Sequence, residues 1–305
     1  LAGGVACAGF AILNKFSLAD SLVVLAAASV GQFVRGRLNR RWLNQFGVAA
    51  LASAAACLVY LMLADLLTNT GLHTIHGPGY VASLLFLVPG FPMITSILDM
   101  VRMDFTAGLS RAAYSFGLIL AATMSAWMFS AATGLQPLPA QTVFPYPWAW
   151  LAYAVATACG VAGFAVIFNS PPRTVAWAAA LGACGNLCRL ALVGVNLPAQ
   201  LAAGVGGVII GFLAGPLSAR TTLPRITLTV PACVIMVPGA SMYRTVYWLN
   251  GQDMTKALTF GVDAVLTVIL IACGLAVARM CTDPAWARNL PVPSPHAFKF
   301  SKDDH

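Results

Sequence analysis

"VPGFPMIT" at residues 88–95 and "VPGASMYR" at residues 237–244 put the same Val-Pro-Gly break, with a Met three residues after the Gly, into two apolar segments 149 positions apart. A Pro inside a helix deletes one backbone hydrogen bond and clashes with the preceding turn, and the Gly after it lets the chain leave helical geometry. In lipid such a break is tolerated only where protein or a water-filled cavity satisfies the freed groups. Two of them at one offset predict a chain built twice over.

The match extends outward from the breaks. Met93 pairs with Met242, Asp104 with Asp253, Thr106 with Thr255 and Leu109 with Leu258 at the same offset. A second signature, "GQFVR" at 31–35 and "GNLCR" at 185–189, aligns at an offset of 154 and pairs Gly31 with Gly185, an amide with an amide, and Arg35 with Arg189. The five-residue slip fits a longer outer loop in the first half.

Composition sets the solvent. Of 305 residues 59% are hydrophobic and 9% charged, against about a quarter charged in a soluble domain. Apolar runs near the roughly 20 residues that a bilayer crossing takes recur along almost the whole length, which leaves no room for a soluble catalytic domain. Segments near 1–14, 19–34, 45–67, 79–98, 108–133, 148–168, 174–194, 199–217, 226–248 and 257–279 read as membrane helices. The predicted fold is all-α and polytopic: ten transmembrane helices as two inverted five-helix repeats, because an odd number of crossings turns the second unit upside down. The units are 1–140 and 141–280, broken at Pro89-Gly90 and Pro238-Gly239, and the polar tail 281–305 is expected to be mobile and cytoplasmic.

With the N-terminus in the cytoplasm, the inner loops collect Arg35, Arg37, Arg40, Arg41, Arg102, Arg111, Arg173, Arg220, Arg225, Arg279 and Arg288, against Lys15, Arg244 and Lys256 outside. That bias sets a multi-pass orientation with both termini cytoplasmic. It also accounts for the net charge of +8 through the lipid bilayer, without nucleic acid. The opening "LAGGVACAGFAIL" has no charged n-region and reads as a first helix, not a cleaved signal. The eight cysteines are scattered and suggest neither a disulfide framework nor a metal site. His73 and His76 form an unsupported HxxH in an outer loop.

Polar residues inside apolar segments carry the functional expectations, since each is costly there. Carbonyls released at the breaks can hold an ammonium, and the new helix N-termini can hold a carboxylate, so Pro89, Gly90, Pro238 and Gly239 suit a zwitterion. Arg189 sits in an apolar helix with no local acid and should face a cavity or a substrate carboxylate, with Asn186 beside it. Tyr243 and Arg244 close the second break. Asp99 and Asp104 follow the first break and Asp253 the second. Asp263, in "TFGVDAVLTVIL" with no Lys or Arg one turn away, is the leading proton-coupling carboxylate, and Asp104 and Asp253 are further candidates. The stripe Gly207, Gly211, Gly215 reads as a packing face, available to an isologous homodimer, and not as a nucleotide loop, for no Walker Lys follows. No cofactor is expected.

At these residues the sequence resembles the threonine/serine exporter family over essentially its whole length. The stretch Leu87–Arg111 carries the likeness in Pro89, Gly90, Thr95, Asp99, Asp104, Gly108 and Arg111, and the second half in Pro238, Gly239, Tyr243 and Arg244. The resemblance implies export of threonine and serine across the bacterial cytoplasmic membrane by proton antiport. By similarity to members split into two proteins, it also implies export of a small dicarboxylate such as succinate. It places Thr95 and Asp99 in the substrate site. Two departures stand out: no hydrophilic region precedes the first helix, and Met103 stands where a Gly is expected before Asp104. A gated channel is the alternative carrier of the same flux. An enzyme is disfavoured, because Gly-x-Ser-x-Gly, His-Glu-x-x-His and paired acid and His at catalytic spacing are all missing.

Overall fold

The computed structural model describes residues 1–70, 79–134, 136, 148–221 and 223–288; the HxxH of His73 and His76 and residues 289–305 of the expected tail lie outside them. The chain is all-α. The first half runs α1 (Ala2–Leu13), α2 (Leu18–Asn39), α3 (Gln45–Asn69), α4 (Tyr80–Ser83) with a 3-10 turn (Leu85–Leu87), α5 (Gly90–Val101) and α6 (Phe105–Thr133). The second runs α7 (Trp148–Ile167), α8 (Pro172–Gly194), α9 (Ala199–Thr221), α10 (Arg225–Val234), α11 (Gly239–Asn250) and α12 (Met254–Thr282), and a short α13 (Pro284–Ala287) follows.

Among the described residues, α2, α3, α6, α7, α8, α9 and α12 are each long and apolar enough to cross a membrane, and the bent pairs α4–α5 and α10–α11 raise seven spans to nine. This is a multi-pass membrane fold. The expectation of ten crossings counts α1 as well; α1 is apolar but has 12 residues, about 18 Å of rise, short of a hydrocarbon core by itself.

Backbone geometry repeats where side chains do not. Among the described residues six non-Gly residues have positive φ: Lys15, Trp42, Met103, Asn169, Asn196 and Gln252. They fall into three pairs, Lys15 with Asn169, Trp42 with Asn196 and Met103 with Gln252, at offsets of 154, 154 and 149. Each pair marks the same joint in its half: α1–α2 and α7–α8, α2–α3 and α8–α9, α5–α6 and α11–α12. At the last joint Asp104 and Asp253 act alike as N-caps, accepting from the backbone N–H of Ala107 at 3.2 Å and Lys256 at 3.1 Å. These caps start α6 and α12 three residues earlier than the apolar runs alone suggest.

Small residues let the halves meet. Lipid tails supply no hydrophobic drive between helices, so association rests on close van der Waals packing. A Cβ on Gly9 of α1 would lie 2.5 Å from the Ala156 carbonyl, and one on Gly163 of α7 would lie 2.6 Å from the Ala2 carbonyl. The two contacts are each other's counterparts at the 154 offset. Between α9 and α12, a Cβ on Gly207 would lie 2.7 Å from the Ile271 carbonyl and one on Gly211 2.5 Å from the Ala278 methyl. These two glycines of the stripe therefore pack inside the chain, against α12, and are not a free face for a second subunit.

Candidate functional site

Each Val-Pro-Gly folds in one way. Pro89 has φ −79° and ψ 57°, Pro238 φ −82° and ψ 61°, and the following Gly N–H donates to the Val two residues back, at 2.8 Å (Gly90 to Val88) and 2.9 Å (Gly239 to Val237). That is an inverse γ-turn. It ends one helix and starts the next at a bend of 52° in both halves. The first regular bonds of the new helices are Met93 N–H to Pro89 and Met242 N–H to Pro238, both 3.1 Å. The N–H groups of Ala240 and Ser241 thus remain without a partner within α11.

The two breaks lie back to back. A Cβ on Gly90 would sit 3.2 Å from both Val234 methyls and 3.6 Å from Val237, and one on Gly239 would sit 2.7 Å from Leu85 Cδ2 and 3.0 Å from Val88 Cγ2. Leu85 and Val88 stand 149 positions before Val234 and Val237. Each hinge glycine is therefore covered by the other half's hinge. Beside them, Tyr80 and Tyr243, both buried, share a hydrogen bond of 2.8 Å between their hydroxyls and pack edge to face at 5.6 Å.

A cavity of about 260 Å³ opens beside the second break, lined by Asn14, Arg189, Pro238, Ser241, Arg244 and Asp263 among others. Its size is just below the roughly 300–1,000 Å³ of pockets for drug-sized ligands. Asp263 on α12 is held from two sides: Gln200 Nε2 donates to Oδ1 at 2.6 Å and Ser241 Oγ donates to Oδ2 at 3.0 Å. Arg189 Nε donates to Asn186 Oδ1 at 2.8 Å, and Asn186 Nδ2 donates to Thr157 Oγ1 at 2.9 Å. No carboxylate of the described residues lies within ion-pair distance of Arg189. Arg244 lies over the Phe260 ring at 5.5 Å. The cavity thus combines two guanidinium groups, one carboxylate and the N-terminus of α11, an arrangement able to hold a carboxylate and an ammonium together.

The sequence candidates separate accordingly. Arg189, Pro238, Gly239, Arg244 and Asp263 line this cavity, with Asn186 behind Arg189. Tyr243 turns away to Tyr80. Pro89 and Gly90 belong to the other break. Thr95 is buried and donates to the Phe91 carbonyl at 3.0 Å. Asp99 ion-pairs with Arg111. Asp104 is exposed at its cap, and Asp253 at the matching cap pairs with Lys256 at 2.8 Å. Hydrogen bonds from the Lys256 side chain and backbone N–H hold the Asp253 carboxyl below the usual carboxylate range, which keeps it charged at neutral pH. Gln200, Ser241 and Asn14 are additions that sequence reading missed. Ser241 stands inside the quoted motif, whereas Gln200 reaches Asp263 across 63 positions. Among the described residues no group of three or more His, Cys, Asp or Glu is placed to hold a metal.

The family model described as "Putative threonine/serine exporter" matches residues 1–133, and that described as "Threonine/Serine exporter, ThrE" matches residues 153–281. An uncharacterized protein of Haemophilus influenzae is 37% identical over 82 residues, 27% of this chain and 28% of that protein. The probable succinate transporter subunit YjjP of Escherichia coli is 31% identical over 133 residues, 44% of this chain and 51% of its own, and its Klebsiella aerogenes namesake is 32% identical over 134 residues, 44% and 50%. The chain thus spans about half the length, or less, of these relatives. No solved structure matches it significantly. With one family's models accounting for both halves, the chain belongs to the threonine/serine exporter family.

Proposed function

We propose that this membrane transporter exports small hydroxy amino acids, threonine and serine, by proton antiport across the cytoplasmic membrane, and that the cavity at the second break is its substrate site. The observation that carries the reading is Arg189, which faces the cavity without an ion-pairing carboxylate while Asp263 stands across it in a polar cradle. The substrate carboxylate binds Arg189, Arg244 and the N-terminus of α11. Its ammonium binds Asp263. A proton on Asp263 removes that anchor and weakens substrate binding, so proton and substrate compete, and this competition is what couples an antiporter. In this reading Asp104 and Asp253 are helix caps and Asp263 alone carries the proton. The halves, 1–140 and 141–280, act as inverted repeats, with α1 completing ten crossings and the Arg-rich loops in the cytoplasm.

The relatives named as succinate transporter subunits support a second reading, in which a dicarboxylate places one carboxylate on Arg189 and the other on Arg244. Asp263 must then be protonated for the substrate to bind, so proton and substrate travel in the same direction. Counterflow in proteoliposomes with serine, threonine or succinate, followed with an internal pH dye, separates the two. Serine entry with proton exit supports the first reading and succinate entry with proton entry the second. Flux that follows the concentration gradient with no counterflow refutes both in favour of a channel.

A further inference from the structure

A second cavity, about 490 Å³, opens beside the first break, with Gln32, Arg35, Phe86, Pro89, Pro92 and Tyr114 in its wall. Of the 15 described residues that line it, 13 have their counterpart at the 149 or 154 offset lining the Arg189 cavity. Arg35 answers to Arg189, Pro92 to Ser241 and Tyr114 to Asp263. Phe164, Ile167 and Phe168 answer in reverse to Phe10, Leu13 and Asn14. The two cavities are one motif made twice, each half lending its first helix to the other's site.

Arg35 heads the cluster that continues with Arg37, Arg40 and Arg41 and so reads in the sequence as a loop charge. In the structure its guanidinium enters the cavity and donates to the Phe86 carbonyl at 3.3 Å, an acceptor next to those the break releases. No carboxylate of the described residues pairs with it. One turn earlier, Gln32 Oε1 is buried without a hydrogen-bond partner among the described residues. Its counterpart Asn186 spends the same oxygen on Arg189. An unpaired cation and an orphan acceptor three positions apart in one cavity leave an anion and a donor to be supplied from outside the protein.

The two cavities reach opposite ends of α2. Asn14 of the Arg189 cavity stands just before α2, and Asn39 of the Arg35 cavity stands at its end. The 22 residues between give about 33 Å of rise.

We propose that the Arg35 cavity is a second solute site, which takes the carboxylate of the small amino acid on Arg35 and its ammonium on Gln32 and serves the end of the bundle opposite the Arg189 cavity. Where the Arg189 cavity has Asp263 this one has Tyr114, whose hydroxyl is engaged by donating to Gln45 Oε1. Loading here is therefore independent of the proton-binding carboxylate. The site rests on the transport reading above, and its test separates the two.

Gly36 lines the cavity and a Cβ there meets nothing within 4 Å, so Gly36→Cys places a thiol at the site. In protein whose exposed and half-exposed cysteines are replaced by Ser, a membrane-impermeant methanethiosulfonate labels this thiol in proteoliposomes, with serine, serinamide or succinate as protectant. Serine slows labelling and serinamide, which lacks the carboxylate, does not. Arg35→Gln raises the half-protecting serine concentration about tenfold or more, and Arg35→Lys falls between. If saturating serine leaves the labelling rate unchanged while the same variant still performs serine counterflow, the site is refuted and the transport reading stands. Protection by succinate and not by serine refutes the Gln32 assignment. Should Gly36→Cys itself fail to fold or transport, Asn39→Cys on the same wall supplies the reading. Absence of counterflow in the parent protein removes the transport reading and this site with it.

Discussion

Replacing Asp263 by Asn removes one charge and keeps the shape of the side chain. In the structure Asp263 accepts from Gln200 at 2.6 Å and from Ser241 at 3.0 Å. An Asn can accept the first bond through Oδ1 and donate the second through Nδ2 to the Ser241 oxygen, so neither neighbour is orphaned. A hydrogen bond to a charged group contributes about 1.5–3 kcal/mol and a neutral one about 0.5–1.5. The loss is then about 1 kcal/mol per bond and about 2 kcal/mol in all, compatible with a folded protein. Coupling suffers far more. With one proton exchanged per substrate, a gradient of one pH unit is worth about 1.4 kcal/mol and sustains about tenfold accumulation. Asp263→Asn reduces that ratio to one, while counterflow persists, with a raised KM, on the carboxylate contacts of Arg189 and Arg244. The assay is labelled serine in proteoliposomes with and without an imposed pH gradient. Accumulation by the variant equal to that of the parent would show that the proton is carried elsewhere.

Three further outcomes test the frame around the site. Gly239→Ala drives a methyl to 2.7 Å of Leu85 and 3.0 Å of the stiff Val88, an overpacking cost of about 1–3 kcal/mol, whereas Gly90→Ala meets Val234 at 3.2 Å and is milder. Val88→Ala relieves the former in the double variant, read by thermal unfolding and exchange rate together. Met103 and Gln252, at φ 65° and 59°, occupy a region costing about 1–2 kcal/mol for side chains with a Cβ; either to Gly raises thermal stability by about 0.5–1 kcal/mol after the added unfolded-state entropy, and either to Val lowers it. Tyr80→Phe and Tyr243→Phe each remove the hydroxyl–hydroxyl bond and leave the other tyrosine only its hydrogen bond with Ser130, so the double variant loses less than the sum by about 1 kcal/mol in a thermal-unfolding cycle.

What could be read from the sequence was whatever is decided locally. The breaks at Pro89 and Pro238 were legible because a missing N–H and a missing Cβ act on their own backbone. Arg189 and Asn186 were legible because positions three apart on a helix meet. Asp104 and Asp253 read as acids beside an apolar run for the same local reason, and that each caps a helix shows only once its backbone partner three residues on is seen. Lys15 with Asn169 and Trp42 with Asn196 share a backbone state and no chemistry, so the joints they mark repeat silently. Gln200 finds Asp263 only because glycines let α9 settle against α12, and Arg35 is a loop charge until α5 and α7 close around it. Long-range packing decided both, and nothing in the short stretches around them encodes it.

The reciprocal cover of the hinge glycines also bears on how the molecule holds together. Gly90 is roofed by Val234 and Val237, and Gly239 by Leu85 and Val88, so neither half owns a finished hinge. Severed between α6 and α7, the two pieces would each expose a bare glycine and a pair of unclaimed branched side chains. They would regain a closed hinge only by finding one another. Cohesion is thus vested in the same few atoms that bend the chain: the contact that keeps the halves married is the one that closes both breaks.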